Sequence, residues 1–166
     1  LFNQFSKNLL PVPEGVVPGK VIDRLFTPGG KEFVIAEGAI YYKMKAADPY
    51  SCKPVIINGN KQKLFSTLQT RSNKIFIGSN KSVHQLDTGS AAILPLKVCG
   101  KDPGNMFFNM ASSRITSMTE WIIGNDTLLA AAAYGYYIYL IDLKKRNIYA
   151  LNPINRNGIG SSEHLV

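Results

Sequence analysis

Short apolar runs separated by turn-forming residues extend along most of the chain. Segment 114–151 shows this most clearly: Arg114–Thr119 and Asn147–Leu151 alternate between apolar and polar positions, while Thr127–Ala133 and Tyr136–Leu143 are continuous apolar runs. Continuous short runs are typical of strands buried on both faces, and alternating runs are typical of strands with one wet face. The segment therefore predicts four strands, the middle two interior and the flanking two at the rims.

Two other structures are compatible with the uncharged stretch from Thr127 to Ile141. Its alanine and leucine content favours a single helix, and its lack of charge is compatible with a membrane span. The stretch has 15 residues, whereas about 20 are needed to cross a bilayer as a helix, and Gly135 interrupts it. Because the following residues Tyr136–Tyr139 are strong β-formers, we expect strands.

The same four-strand pattern occurs twice more upstream, so that three repeats are expected at about 21–58, 61–98 and 113–151. The glycines that follow the second strand of each repeat are separated by 40 and 57 residues; they are Gly38, Gly78 and Gly135. A repeat of about 40–50 residues with four antiparallel strands is the signature of a β-propeller blade. The predicted fold is all-β, with about three four-stranded antiparallel blades that form part of a ring.

Proline placement agrees with this assignment. Pro54 and Pro95 fall in the predicted fourth strands, Pro54–Ile57 and Ala91–Val98. The fourth strand is the edge of a blade, where a missing N–H is tolerated.

Three segments lie outside the predicted blades. Residues 1–20 are proline-rich and predict an extended N-terminal arm, and residues 152–166 predict a polar C-terminal loop. The connection at 99–112 contributes four apolar side chains to the predicted core, namely Met106, Phe107, Phe108 and Met110. The chain begins with Leu1 rather than Met, which suggests a processed product or an excised segment.

Several of these strands resemble degenerate WD40-like and quinoprotein-like repeats. The motifs are Ile115-x-Ser117-Met118-x-x-Trp121, Asn125-Asp126-x-Leu128-Leu129-Ala130, Tyr139-Leu140-Ile141-Asp142-Leu143, Lys74-Ile75-Phe76-Ile77-Gly78 and His84-Gln85-Leu86-Asp87-Thr88-Gly89. The Gly-His pair and Trp-Asp dipeptide of standard WD40 repeats are absent, as is the tryptophan signature of quinone-binding blades. The resemblance therefore implies a propeller and no cofactor. Because propellers close with about four to eight blades, further blades are expected from a longer protein, from copies of this chain or from another chain.

The net charge of +8 is concentrated in one segment. Lys43–Lys81 contains eight basic residues and one acid, Asp48, and so carries +7. Such a field attracts anionic partners, although a solvated face that serves solubility is an equal alternative. The expected contacts to an acidic protein or to a nucleic acid backbone are Lys61, Lys63, Arg71, Lys74 and Lys81, with Tyr134 as an exposed aromatic in a turn.

The sequence offers no constellation for catalysis, a metal or a cofactor, so an enzyme is not expected. His84 lies within a predicted strand, where a packed side chain is the expectation, and His164 lies in the polar tail. Cys52 and Cys99 form neither a disulfide framework nor a zinc motif, and reduced thiols in an intracellular protein, cytoplasmic or nuclear, are expected. The predicted function is a non-enzymatic propeller scaffold in a larger intracellular complex; the alternative is a secreted or surface propeller that binds glycans or receptors and assembles from several copies.

Overall fold

The computed structural model describes residues 19–57, 59–96, 110, 112–134 and 137–151. Residues 150 and 151 are described as backbone only. Apart from Met110, which is helical, the regular elements in this part of the chain are β-strands, which confirms the all-β prediction. No helix of the described residues is long and apolar enough to span a bilayer. The predicted arm and the polar tail lie outside the described residues, apart from Gly19 and Lys20.

The strands form three four-stranded antiparallel sheets and one two-stranded hairpin. The first sheet consists of Val21–Phe26 (β1), Glu32–Ala36 (β2), Ala39–Lys43 (β3) and Ser51–Pro54 (β4). The hairpin consists of Ile56–Ile57 (β5) and Asn60–Lys61 (β6). The second sheet consists of Leu64–Gln69 (β7), Ile75–Ser79 (β8), Ser82–Asp87 (β9) and Ala92–Pro95 (β10). The third sheet consists of Ile115–Ile123 (β11), Asp126–Ala133 (β12), Tyr137–Asp142 (β13) and Ile148–Leu151 (β14).

Within each sheet the strands lie side by side in chain order, so the first and fourth strands are the edges. Pro54 and Pro95 both lie on edge strands, β4 and β10, as their missing N–H groups require. The predicted strand Pro54–Ile57 is wrong in extent. The strand ends at Pro54, and Val55 N–H then donates to Gly38 O at 3.0 Å, which turns the chain into the β5–β6 hairpin.

The first strand of every sheet carries the same irregularity. The register against the second strand shifts after the first residue, between Val21 and Asp23, between Leu64 and Ser66, and between Ile115 and Ser117. Aligned on these bulges, the three sheets repeat at intervals of 43 and 51 residues. Since bulges are retained as features within a fold, the three sheets are structural repeats of one another.

The bulges show that Gly38 and Gly78 do not lie at equivalent positions in their sheets. Gly78 lies inside β8 opposite Ser66 and is equivalent to Ile35, whereas Gly38 lies in the turn between β2 and β3. The two glycines therefore occupy different positions in their repeats, and Gly135 lies outside the described residues. The bulges, and not the glycines, mark equivalent positions in the three sheets.

Apolar side chains fill the two spaces between neighbouring sheets. The first cluster joins the first and second sheets through Phe33, Ile35, Ile40, Ile75, Ile77 and Leu86. The second joins the second and third sheets through Phe76, Val83, Ile115, Leu129, Tyr139 and Met110, the one described member of the predicted core connection. The second sheet is thus packed on both faces, and its strand β8 is buried throughout.

The first strands of neighbouring sheets lie against one another. Thr67 on β7 donates its hydroxyl hydrogen to the Asp23 carboxylate on β1, and Ser66 Oγ donates to Ile115 O on β11 at 3.2 Å. The approach of β8 to β11 depends on Gly78, because a Cβ there would lie 2.8 Å from Ile115 O. The three sheets are therefore in contact along β1, β7 and β11.

Candidate binding surfaces

The predicted basic residues lie at two opposite ends of the second sheet. We call the end at which β1, β7 and β11 begin the entry end and the opposite end the exit end. Lys61 and Lys63 precede β7, and Lys81 lies in the β8–β9 turn, so these three are at the entry end. Arg71 and Lys74 lie in the β7–β8 turn, at the exit end.

A strand separates the two groups. β7 has six residues, which at about 3.3 Å per residue corresponds to roughly 20 Å. An extended partner therefore contacts both groups of basic residues only if it runs along the length of the sheet. The sequence segment of high charge is divided in space, and Lys61, Lys63 and Lys81 are the residues that the structure brings together.

The entry end has little compensating negative charge. Lys63 Nζ lies 3.2 Å from Glu37 Oε1, and both side chains are exposed. Among the described residues, Glu37 is the acidic side chain at this end. An exposed pair of this kind contributes about 0–1 kcal/mol and leaves the field of the other lysines in place.

Hydrogen bonds of the backbone fix the positions from which the Lys63 and Lys81 side chains extend. Asn80 N–H donates to Lys63 O at 2.9 Å, and Lys63 N–H donates to Asn80 Oδ1 at 3.1 Å. These reciprocal bonds hold the β8–β9 turn, which carries Lys81, beside the start of β7. The side chains of Lys61, Lys63 and Lys81 are exposed.

Tyr134 lies at the entry end of the third sheet and is 74% exposed, as expected for a turn residue. The Arg114 guanidinium lies 5.2 Å from the Tyr134 ring centroid and 4.8 Å from that of Phe65. Both distances are within the range of cation–π contacts. Arg114 therefore lies at the entry end between two aromatic rings. Sequence reasoning missed this role because Phe65 and Tyr134 are far apart in the chain.

The exit end carries both signs of charge. Lys145 Nζ lies 3.7 Å from the carboxylates of Asp126 and Asp142, and Arg71 N–H donates to Glu120 Oε2 at 3.0 Å. This end therefore offers a weaker net attraction for anions than the entry end.

A second polar group at the exit end is internal to the first sheet. Arg24 Nε donates to Glu32 Oε1 at 2.6 Å, and the Tyr50 hydroxyl donates to the same oxygen. Burial, and next the hydrogen bond to Glu32, raises the pKa of Tyr50. Because the contacts join β1, β2 and the loop before β4, the group ties this sheet together rather than presenting a free site.

His84 is packed, as the sequence predicts, with 3% of its surface exposed. By register it is opposite Ile77 on β8, the position that Tyr41 and Tyr139 occupy opposite Val34 and Ala131 in the other sheets. Burial lowers the pKa of His84 to about 4, while a hydrogen bond to the Lys81 backbone acts weakly in the opposite direction. The imidazole is therefore neutral at neutral pH.

The third sheet has one face packed and one face open. Leu129, Ala131, Tyr139 and Ile141 point to the second sheet and are buried. The opposite face carries cross-strand rows of largely apolar residues, namely Trp121 with Leu128, Ala130 with Leu140 and Tyr149, and Ala132 with Ile138. Trp121 is 51% and Ile138 36% exposed. The prediction that β12 and β13 are buried on both faces is therefore wrong, because no described sheet covers this side.

Within the described residues, no group of three or more His, Cys, Asp or Glu side chains is arranged to hold a metal ion. Cys52 is a free, exposed thiol on the edge strand β4. Cys99 lies outside the described residues.

No protein family model matches the chain, and no curated protein sequence matches it. Among solved structures, it is similar to the extracellular domain of a putative hybrid two component system from B. thetaiotaomicron, with a TM-score of 0.57 and 13% sequence identity. The match covers 83% of this chain and 17% of that chain. At this identity the likeness shows the fold alone, and the chain spans about a sixth of the neighbour's length.

This comparison contradicts the prediction of an intracellular protein. The neighbour that shares the fold is an extracellular domain, which points away from the cytoplasm and nucleus. The prediction rested on two cysteines without a recognisable disulfide framework. A free thiol on an edge strand is compatible with either side of a membrane, so that composition carried no information about the compartment.

Proposed function

We propose that the chain is a sector of a β-propeller, meaning a set of neighbouring blades that requires further blades to close the ring. The single observation that carries this proposal is the open face of the third sheet, where Trp121, Ile138 and Leu140 lie on a surface of the kind that is buried elsewhere in the chain. Soluble proteins seldom leave such a sheet face uncovered. The next sheet of a longer protein, or of a second copy, covers it.

The repeat geometry supports the same arrangement. The equivalent bulges give each sheet the same construction, and the hydrogen bonds from β7 to β1 and β11 bring first strands together. In a propeller the first strands surround the central channel and the fourth strands form the outer edges. Pro54 and Pro95 then lie on the outside. The resemblance to WD40-like and quinoprotein-like repeats fits this arrangement and stays a prediction.

The ring acts as a non-enzymatic binding scaffold that presents its entry end to an acidic protein partner. Lys61, Lys63 and Lys81 supply point charges, and Arg114 with Tyr134 supplies a flat surface against which a partner packs. The neighbour's extracellular setting favours a protein partner over nucleic acid. The same comparison favours a secreted or cell-surface propeller that binds a receptor over an intracellular scaffold.

Binding to poly-glutamate tests the scaffold function. We expect the protein to bind poly-glutamate with an affinity that falls as salt is added, because exposed charges are screened within about 10 Å at 0.1 M. Replacing Lys61, Lys63 and Lys81 by Gln is expected to weaken binding by up to about tenfold, at a fraction of a kcal/mol per exposed charge. Fluorescence anisotropy of labelled peptide gives the affinities.

The matched control removes the same charge from the exit end through Lys74, Lys144 and Lys145 to Gln. It is expected to retain most of the affinity. Equal losses in the two triple variants would show attraction by net charge alone and would contradict a site at the entry end. Tighter binding to single-stranded RNA than to poly-glutamate would replace the protein partner by nucleic acid.

A further inference from the structure

A cavity of about 360 Å³ lies between the second and third sheets. The two sheets are in contact along β7 and β11, where Ser66 Oγ donates to Ile115 O. The cavity lies farther out, between β9 and β10 on one side and β13 with the turn that follows it on the other. Its volume is within the range of sites for small molecules, about 300–1,000 Å³. The apolar part of its lining consists of Phe76, Leu94, Pro95, Leu96, Ile141 and Leu143.

One cross-strand row of the second sheet is covered at its inner end only. Phe76, Gln85 and Leu94 lie side by side on β8, β9 and β10, on the face that packs against the third sheet. Phe76 is 1% exposed, whereas Leu94 is 47% exposed. Spaces larger than a water molecule are few between packed elements of a protein. The outer end of this row therefore offers an apolar surface to a ligand that enters between the two sheets.

Two cationic residues line the cavity from opposite sheets. Lys74 lies in the β7–β8 turn and Arg146 in the β13–β14 turn, and both side chains are exposed. Lys74 forms no ion pair with a carboxylate of the described residues. The two positive charges favour a ligand with an anionic group.

The carboxylate of Asp142 also belongs to the lining, but its charge is compensated within the chain. Its Oδ1 accepts from the backbone N–H groups of Lys144 and Lys145 at 2.9 and 2.8 Å, and Lys145 Nζ lies 3.7 Å from Oδ2. The residue is 3% exposed. A ligand in the cavity therefore meets the exposed cations rather than this carboxylate.

We propose that this cavity binds a small amphipathic carboxylic acid of the medium-chain fatty acid type. The hydrocarbon chain packs against Leu94, Leu96 and Leu143, and the carboxylate lies at Lys74 and Arg146. The cavity is formed by two sheets of one chain, so the proposal does not depend on closure of the ring or on an acidic protein partner at the entry end.

Three probes separate the contributions in calorimetric titrations of the full chain. Octanoate has the hydrocarbon chain and the carboxylate, 1-octanol lacks the charge, and acetate lacks the chain. We expect octanoate to bind at least about a hundredfold more tightly than acetate, because each buried CH₂ contributes about fourfold. We expect it to bind about tenfold more tightly than octanol, because two exposed cations each contribute up to about fivefold. Equal affinity of octanoate with either of the other two, or no binding of octanoate, overturns the proposal.

Two substitutions to glutamate locate the hydrocarbon chain. Leu94→Glu places an anion in the apolar wall and is expected to weaken octanoate binding at least about tenfold, because a buried carboxylate is costly and repels the ligand. Ile56→Glu introduces the same charge at an apolar residue that is 54% exposed and does not line this cavity, and it is expected to leave the affinity unchanged. Since both positions are about half exposed, we expect both variants to fold. Unchanged affinity in Leu94→Glu, or an equal loss in both variants, overturns the proposal.

Two double variants locate the carboxylate. Lys74→Gln with Arg146→Gln is expected to weaken octanoate binding about tenfold and to leave octanol binding unchanged. The matched control, Lys20→Gln with Lys45→Gln, removes two exposed charges from the first sheet and is expected to have no effect. Equal losses in the two double variants would show attraction by net charge alone and would contradict the site.

The open face of the third sheet is an alternative apolar surface for octanoate, and Ile138→Lys distinguishes it from the cavity. This variant is expected to bind octanoate with the affinity of the parent protein, whether or not the parent self-associates. Octanoate is also expected to shift the methyl NMR resonances of Leu94, Leu96 and Leu143 more than that of Ile138. Loss of binding in Ile138→Lys, or a larger shift at Ile138, would place the ligand on the open face and contradict the proposal.

Discussion

Replacing Gly78 by Ala is expected to destabilise the protein by about 3 kcal/mol, at the upper end of the cost of overpacking a core. An added Cβ would meet Ser66 Oγ and would lie 2.8 Å from both Cγ2 and the carbonyl oxygen of Ile115. Ser66 Oγ also donates to that carbonyl, so the hydrogen bond between the second and third sheets is lost with the displacement. Urea unfolding of the parent and the variant measures the difference in free energy of unfolding.

Gly38→Ala is the matched control. A Cβ at Gly38 has nothing within 4 Å, and its backbone does not have a positive φ. The variant is expected to be neutral or more stable by a few tenths of a kcal/mol, since alanine restricts the unfolded chain. If both variants have the same stability, the close packing of β8 on β11 is not as described.

We expect the free energy of unfolding to decrease by about 3 kcal/mol between neutral pH and pH 4 because of His84. Burial lowers its folded pKa from 6.5 to about 4. Between these two values the unfolded state binds more protons than the folded state, so the free energy of unfolding decreases as pH decreases. The loss begins near pH 6.5 and is complete near the folded pKa.

The histidine contribution is separated from that of the carboxylates by variant and by pH range. In His84→Gln we expect the decrease between pH 6.5 and 5.5 to disappear, whereas the parent loses about 1 kcal/mol there, because the unfolded state binds on average about three quarters of a proton more over this pH unit. Burial opposes ionisation of Asp142, yet the backbone N–H groups of Lys145 and Lys144 hold its pKa below the usual range. The loss of stability that comes from protonation of Asp142 therefore occurs at lower pH. Identical pH profiles would show that His84 is accessible to protons in the folded protein.

The strand pattern was predictable because it depends on local chemistry. Turn residues such as Pro28-Gly29-Gly30 and Gly124-Asn125-Asp126 lie at or beside the observed turns, and the apolar runs between them became strands close to the expected bounds. The helix alternative fails because Leu128 and its neighbours pair with β11 and β13. Cross-strand pairing and packing override the helical preference of alanine.

The binding surfaces were less accessible to sequence reasoning because they depend on which ends of strands meet. Lys61 and Arg71 are close in the chain but lie on opposite ends of β7, whereas Lys63 and Lys81 are separated by a hairpin and lie together. Charge counted along the chain does not distinguish these cases. The rule that a hairpin returns to its starting end would have divided the lysines once the strands were assigned.

The open sheet face was missed for a related reason. A continuous apolar run predicts burial on both faces, and Thr127–Ala133 has such a run. Sequence records that both faces are apolar, but not whether the chain itself supplies both neighbours. Here the second sheet covers one face of the third, and no other sheet of the described residues covers the opposite face, where we propose that the next blade packs.

Sedimentation equilibrium of the protein with and without a charge on that face tests the proposed sector most directly. Ile138→Lys places a cation among the apolar rows, and Asn125→Lys, in the exposed β11–β12 turn, adds the same charge off the face. We predict that the parent protein and Asn125→Lys self-associate in a concentration-dependent manner, while Ile138→Lys sediments as a single chain. If the parent protein remains a single chain at all concentrations, the claim that this sheet face requires another sheet to cover it is contradicted.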